Sequence, residues 1–180
     1  MPRYVALFRG INVGKAKRIA MADLRALLEK QGYSGVRTLL NSGNAVFSAD
    51  ATPADELAQR IRAEVARKLG VDALVIVKSE RDVASIVADN ALTKVATDDS
   101  RLLVAMTNDT KAIAALKKFA GRSWGEERMH LGKQAAYLWC ANGILESKVA
   151  EALLSDLKDI GTTRNWATLN KIHALMRAEP

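Results

Sequence analysis

The hydrophobic pattern resolves into short alternating elements. Tyr4–Phe8 is an unbroken apolar run ending at Arg9-Gly10, the form of a buried strand that runs into a loop. From Ala22, the positions Leu24, Leu27 and Leu28 follow helical spacing, and Gly32 supplies a C-terminal stop. Val36–Leu40 and Ala45–Phe47 flank Asn41-Ser42-Gly43-Asn44, whose Asn and Gly residues tolerate the positive φ of a tight hairpin turn. Thr52-Pro53-Ala54-Asp55 reads as a helix start with Thr52 as cap, Pro53 in the first position and Asp55 at the positive dipole end. Leu57, Ile61, Val65 and Leu69 recur every fourth residue behind it, and Gly70 closes the helix. Ala73–Val77 is a further strand. Ser79 with Asp82 then resembles a capping box for a helix over Glu80–Asp89.

The second half repeats the scheme. Leu102–Met106 is a strand, Lys111–Phe119 a helix ended by Gly121, and Arg128–Leu131 pairs with Ala135–Cys140 across Gly132-Lys133. Asn142-Gly143 turns the chain, Lys148–Leu157 is helical, and a last helix runs from about Arg164 to Met176. The order β-α-β-β-α-β followed by β-α-β-β-α predicts an α+β protein of two ferredoxin-like (split βαβ) halves in tandem. Each half is an antiparallel sheet with helices on one face, the second lacking a final strand and carrying an extra C-terminal helix. Polar residues around Asn90–Ser100 mark the boundary, giving halves of 1–90 and 101–180 joined by a linker at 91–100.

Composition narrows the class without naming a function. Of 180 residues, 49% are apolar and 26% charged, an ordinary globular balance that excludes a disordered chain. No apolar run exceeds the seven residues Ala135–Ala141, far short of the roughly 20 that span a bilayer. A single cysteine, Cys140, leaves no intrachain disulfide and suits a reducing cytoplasm. The formal charge of +7 is uneven: residues 1–37 hold eight basic side chains against Asp23 and Glu29, an excess of six. Concentrated charge of this kind points to an anionic partner, although it also serves solubility.

Topology turns that charge into a candidate site. In a split βαβ unit the first two strands run in the same direction, so the loops that leave them emerge at one end of the sheet. The loop Gly10–Arg18 and the tip Asn41–Asn44 are therefore expected to converge, gathering Asn12, Lys15, Lys17, Ser42 and Asn44 beside a helix start. Glycine-rich backbone with lysines is a common way to hold phosphates. Gly10-Ile11-Asn12-Val13-Gly14-Lys15-Ala16 lacks Walker A spacing and the magnesium-holding hydroxyl, and no dinucleotide fingerprint is present. Both segments also read simply as chain turns. Thr162 or Thr163 is expected to cap the last helix and leave Arg164 in its first turn, a position that suits a cation when an anion sits above it. The bland alternative pairs Arg164 with a protein acid or loop carbonyl and leaves Trp166 in the core.

Other chemistry is thinly signalled. His130 and His173 lack ligand spacing, so no metal and no cofactor is expected. Cys140 reads as a buried structural thiol, and the acid pairs Asp98-Asp99 and Glu126-Glu127 as solvated. Tyr4, Phe8 and Phe47 occupy strands where RNA-binding sheets keep stacking rings, but without the accompanying motif they read as core.

The blocks Leu7–Leu28 (LFRGINVGKAKRIAMADLRALL), Leu39–Phe47 (LLNSGNAVF) and Gly161–Leu169 (GTTRNWATL) resemble a bacterial family, the proteins grouped as domain of unknown function 1697. The resemblance covers nearly the whole chain and implies a cytoplasmic α+β protein with no established activity. Arg9, Asn12, Ser42, Asn44, Lys148, Arg164, Asn165 and Trp166 fall at its motif positions. The chain departs from the pattern at Lys15-Ala16 and at Leu145-Glu146, which leaves Ser147 with Lys148 as a further pair. The reading that follows is an anion-binding module for a phosphate-bearing small molecule or nucleic acid, with no membrane partner. An enzyme on an anionic substrate is the alternative, with Asn12, Asn44 and Asn165 orienting, Lys15 or Lys148 as base or electrophile, and Arg164 as clamp. A protein-interaction scaffold is a third.

Overall fold

Tyr4, Ala6 and Phe8 alternate with Val5 and Leu7 along a strand in which both sets are buried, so the first sheet is covered on two faces. The computed structural model describes residues 1–178, which form two compact units. The first comprises Met1–Arg81 together with the segment from Ile172, and the second comprises Asp82–Lys171.

In the first unit, β1 (Arg3–Phe8), α1 (Met21–Lys30), β2 (Ser34–Leu39), β3 (Asn44–Ser48), α2 (Ala54–Leu69) and β4 (Val75–Ser79) follow in order. The sheet order is β2-β3-β1-β4 with every pair antiparallel, which leaves β1 and β2 running the same way on either side of β3. Tyr4, Phe8, Phe47 and Val77 on one face pack with Leu24 and Leu28 of α1 and Leu57, Ile61 and Val65 of α2. The three strand aromatics are core, with Tyr4 and Phe47 stacked at 5.8 Å between centroids. Thr52 does not cap α2. Pro53 holds the cap position without a side-chain bond, and the backbone of Thr52 instead brackets the Tyr4 hydroxyl, which donates to its carbonyl at 3.0 Å and accepts from its N–H at 3.3 Å.

The second unit holds α3 (Glu80–Ala88, from Asp82), β5 (Leu102–Thr107), α4 (Thr110–Ala115, continued as a 3-10 turn to Phe119), β6 (Arg128–Leu131), β7 (Ala135–Trp139), α5 (Lys148–Leu157) and β8 (Gly161–Asn165). The sheet order is β6-β7-β5-β8, the same as in the first unit, and its pairs are antiparallel.

Here the structure corrects the sequence reading. The second half does possess its final strand: Gly161–Asn165 pairs with β5, Arg164 lying opposite Val104, and α6 (Trp166–Arg177) begins one residue later. Strand pairing overrides capping here because Thr162, Thr163 and Arg164 lie where β5 needs an edge partner for its N–H and C=O groups. Asn165, not a threonine, caps the helix, its Oδ1 accepting from the Thr168 N–H at 2.9 Å.

The division also differs from 1–90 and 101–180. α3 belongs with the second sheet because Tyr137 donates its hydroxyl to the Ile86 carbonyl at 2.6 Å and Gln134 donates to Asp82 at 2.8 Å. The end of α6 belongs with the first, since Arg3 donates to the Met176 carbonyl at 2.5 Å and Arg37 to the Leu175 carbonyl at 2.7 Å. Residues 91–100, read as linker, lie inside the second unit, where a 3-10 turn at Ala91–Lys94 packs beside β6 and β7.

Candidate functional site

Strand direction brings the Gly10–Arg18 loop and the hairpin tip together, and one side chain joins them. Asn12 has a φ of 57°, a left-handed conformation that asparagine tolerates better than most residues. Its N–H donates to the Lys17 carbonyl at 3.0 Å. Its carboxamide closes the loop by accepting from the Ile19 N–H at 2.8 Å and donating to the Ile19 carbonyl at 2.8 Å. The same Nδ2 donates to the carbonyl of Asn41 at 2.8 Å, fastening the loop to the hairpin. Ile11 and Ile19 are buried and anchor the two ends in the core.

Between those anchors every residue from Val13 to Arg18 is exposed, so Lys15, Lys17 and Arg18 project from a closed and fastened loop. Lys17 lies near Asp72, whose carboxyl is held below the usual aspartate range by hydrogen bonding from Arg62 and, further, by the charges of Arg62 and Lys17. Arg62 meets that carboxylate with both Nε, at 2.6 Å, and Nη2, at 3.0 Å.

The hairpin tip is built as tightly. Asn44 is fully buried, and its Nδ2 donates to the Leu39 carbonyl at 2.7 Å and to the Ser42 hydroxyl at 3.2 Å. Gly43 accepts from the Phe8 N–H at 2.9 Å. A Cβ at Gly43 would stand 2.5 Å from Ile11 Cδ1 and 2.8 Å from Phe8 Cβ, so the absence of a side chain is what lets the tip close on the loop. Arg9, at the mouth of the loop, is half-buried and donates its N–H to the Leu74 carbonyl at 2.9 Å.

Of the three non-glycine residues with a left-handed φ among those described, Asn12 and Lys17 fall in the loop and Leu40 directly precedes the hairpin tip. Leu40 is the unexpected one, because its side chain is 48% exposed at a φ of 59°. No sequence signal marks it, since leucine is not a turn residue.

The remaining motif residues lie in the second unit. Arg164 is buried, and burial pushes its guanidinium down to about 10. It donates to the Thr163 carbonyl at 2.7 Å and to the Thr162 hydroxyl at 3.1 Å. Trp166 is buried at the first position of α6. Lys148 is exposed beside a groove of about 500 Å³ lined also by Lys118, Arg122, Glu151 and Asp156. Ser147 caps α5, its hydroxyl accepting from the Ala150 N–H at 3.1 Å. Lys15 and Lys148 are both exposed, so neither has the burial that would prepare a lysine as a base.

One further reading changes, and one buried cation comes to light that the sequence reading did not single out. Glu127 is not solvated but buried, its Oε2 accepting from the Val149 N–H at 3.0 Å in the first turn of α5, where a carboxylate favours the helix dipole. Lys78 is buried on the face of β4 that carries Ile76, one residue beyond the run read as a strand. Continuing the strand alternation by one residue would have placed it there. Burial pushes the Cys140 thiol up, in keeping with a structural role. Among the described residues no group of three His, Cys, Asp or Glu side chains could hold a metal ion, and no helix is long and apolar enough to cross a membrane.

Two four-stranded antiparallel sheets of identical strand order, each built on a split βαβ plan, define a duplicated α+β protein. The family model described as protein of unknown function (DUF1697) matches residues 1–137, and the chain belongs to that family. No curated protein matches it. A solved structure, that of the conserved bacterial protein SP0830 from Streptococcus pneumoniae, superposes with a TM-score of 0.81 at 22% identity, covering 98% of this chain and 99% of that one. At that identity the likeness concerns the fold.

Proposed function

We propose that this protein is an anion-binding module whose Gly10–Arg18 loop and Asn41–Asn44 tip hold a phosphate-bearing ligand. The observation that carries the reading is Asn12. Its carboxamide spends three hydrogen bonds on closing the loop and fastening it to the hairpin, so that Lys15, Lys17 and Arg18 are presented from a fixed platform. Pre-ordered cations lose less entropy on binding than cations on a mobile segment. The excess of six positive charges in residues 1–37 adds a field that draws anions toward this unit.

Amide NMR of the full chain, titrated with inorganic phosphate and then with a mononucleotide, tests the reading. Shifts are expected at Gly14–Arg18 and Asn41–Gly43, and the triple variant K15A/K17A/R18A should abolish them. Shifts confined to other residues, or no shifts with either ligand, would overturn it.

A further inference from the structure

We infer that the partner of this platform is a nucleic acid strand rather than a free nucleotide or phosphate ion, an inference that rests on the function proposed above. The first ground is the form of the charge. A site for one phosphate ion converges its donors on a point. The side chains this loop exposes are three separate cations, Lys15, Lys17 and Arg18, on a loop closed by Asn12. Such groups gain little from one ion in water, but their contributions add along a polyanion through release of its condensed counterions.

The second ground is apolar. Val13 is 70% exposed and Leu40 48% exposed, and each is the chain neighbour of a residue in the Asn12–Asn41 contact that joins the two segments. Leu40 holds its exposed side chain in a left-handed conformation that leucine disfavours. The Leu40 carbonyl closes the turn by accepting from the Gly43 N–H at 3.3 Å, but that bond does nothing for the apolar side chain, and apolar exposure on a strained backbone is the kind of feature that marks a contact surface. A phosphate ion offers nothing to a leucine, whereas the sugars and base faces between the phosphates of a strand do.

Cations beside exposed aliphatic groups also suit an anionic lipid surface, but two features favour nucleic acid. Asn41 and Ser42, exposed next to Leu40, would lose water in an acyl layer and instead find acceptors and donors on sugars and bases. Neither segment contains the Trp or Tyr that anchors proteins at a lipid interface.

The test uses the full chain, a fluorescein-labelled mixed-sequence 20-nucleotide single strand, its duplex, a mononucleotide, and vesicles of anionic phospholipid. Binding is followed by anisotropy or sedimentation between 50 and 200 mM salt. At least one of the two oligonucleotides is expected to bind about 100-fold or more tightly than the mononucleotide, with log K falling against log salt at a slope of about 2 to 3, as three cation–phosphate contacts require. K15A/K17A/R18A should flatten that slope by about 2, and Leu40→Asn should weaken binding about five-fold or more at unchanged slope. Asparagine suits the left-handed backbone, so the second variant retains the fold. A mononucleotide that binds as tightly as the oligonucleotides overturns this inference and leaves the proposed function standing. Binding to vesicles but to neither oligonucleotide also overturns it, as does a slope that the triple variant leaves unchanged. Absence of binding to every anion overturns both.

Discussion

Asn12 and Gly43 illustrate how single residues set the geometry of the loop end. Asn12 combines a backbone that tolerates positive φ with a side chain that replaces three missing backbone partners, and no other residue type does both as well. Asn12→Ala should cost about 2–3 kcal/mol in urea denaturation, since three hydrogen bonds go and alanine resents the left-handed φ. Asn12→Gly should recover about 1 kcal/mol of that, because it relieves the backbone and not the bonds. Gly43→Ala should cost about 2–4 kcal/mol, combining a φ of +86° with a clash against Ile11 and Phe8. Gly10→Ala, where nothing lies within 4 Å of the new Cβ, carries only the backbone strain of about 1 kcal/mol. Asp98 gives a residue-scale test by titration. Its carboxyl is held below the usual aspartate value chiefly by the Ser100 hydroxyl, then by the Ser100 N–H. A folded value below the unfolded one means stability that is present above the unfolded pKa and lost as pH falls through the folded one. Carboxyl carbon NMR should therefore show a low midpoint for Asp98, and Ser100→Ala should move it upward.

At the scale of elements, the two sheets repeat each other in a detail that strand order alone does not require. Lys78 in β4 lies opposite Val5 of β1, and Arg164 in β8 lies opposite Val104 of β5. Each is a buried cation one residue before the end of a five-residue edge strand, and a helix starts directly after each strand. The duplication is therefore physical as well as topological, although the two halves share no obvious sequence motif. Helix ends are completed by side chains from elsewhere in the same unit. Glu127 meets the start of α5, while Arg3 and Arg37 meet the carbonyl end of α6, each sign matching the dipole it faces. The double variant R3M/R37M should lower stability by about 1–3 kcal/mol. Hydrogen exchange should quicken in residues 172–177, with the strands of the second sheet unchanged.

For the molecule as a whole, the division into units follows contacts and not the order of the chain. The first unit includes the segment from Ile172, and the second takes in α3 from Asp82. A fragment of residues 1–90 would leave Arg3 and Arg37 without the carbonyls of Leu175 and Met176. Such a fragment should unfold at lower urea concentration than the first unit does within the full chain. The positive charge is a property at this scale too: an excess of six in residues 1–37 acts as a field, and it would raise encounter rates with the polyanion proposed above in a salt-dependent way.

Much of this was legible from the chain alone. An apolar run marked β1, turn residues marked the β2–β3 hairpin, and helical spacing marked α1 and α2, because an apolar helix face repeats at 3.6 residues whatever packs against it. The same-way direction of β1 and β2 followed from the order of elements, and with it the meeting of the early loop and the hairpin tip. The strand at Gly161–Asn165 was not legible, because Thr162 and Thr163 serve as well for a helix cap as for an edge strand, and only the unpaired side of β5 decides between them. Glu127 and Lys78 were misjudged or passed over for a related reason: a charge reads as solvated until a distant partner, such as the N–H of Val149, is folded against it. Apart from the edge strand at Gly161–Asn165, the sequence by itself determined the main strands and helices and where positive charge gathers, since these depend on neighbours in the chain. Tertiary structure alone decided which buried polar groups are satisfied, which helix completes which unit, and that Asn12 locks loop to hairpin, since each depends on groups that only folding brings within hydrogen-bond reach.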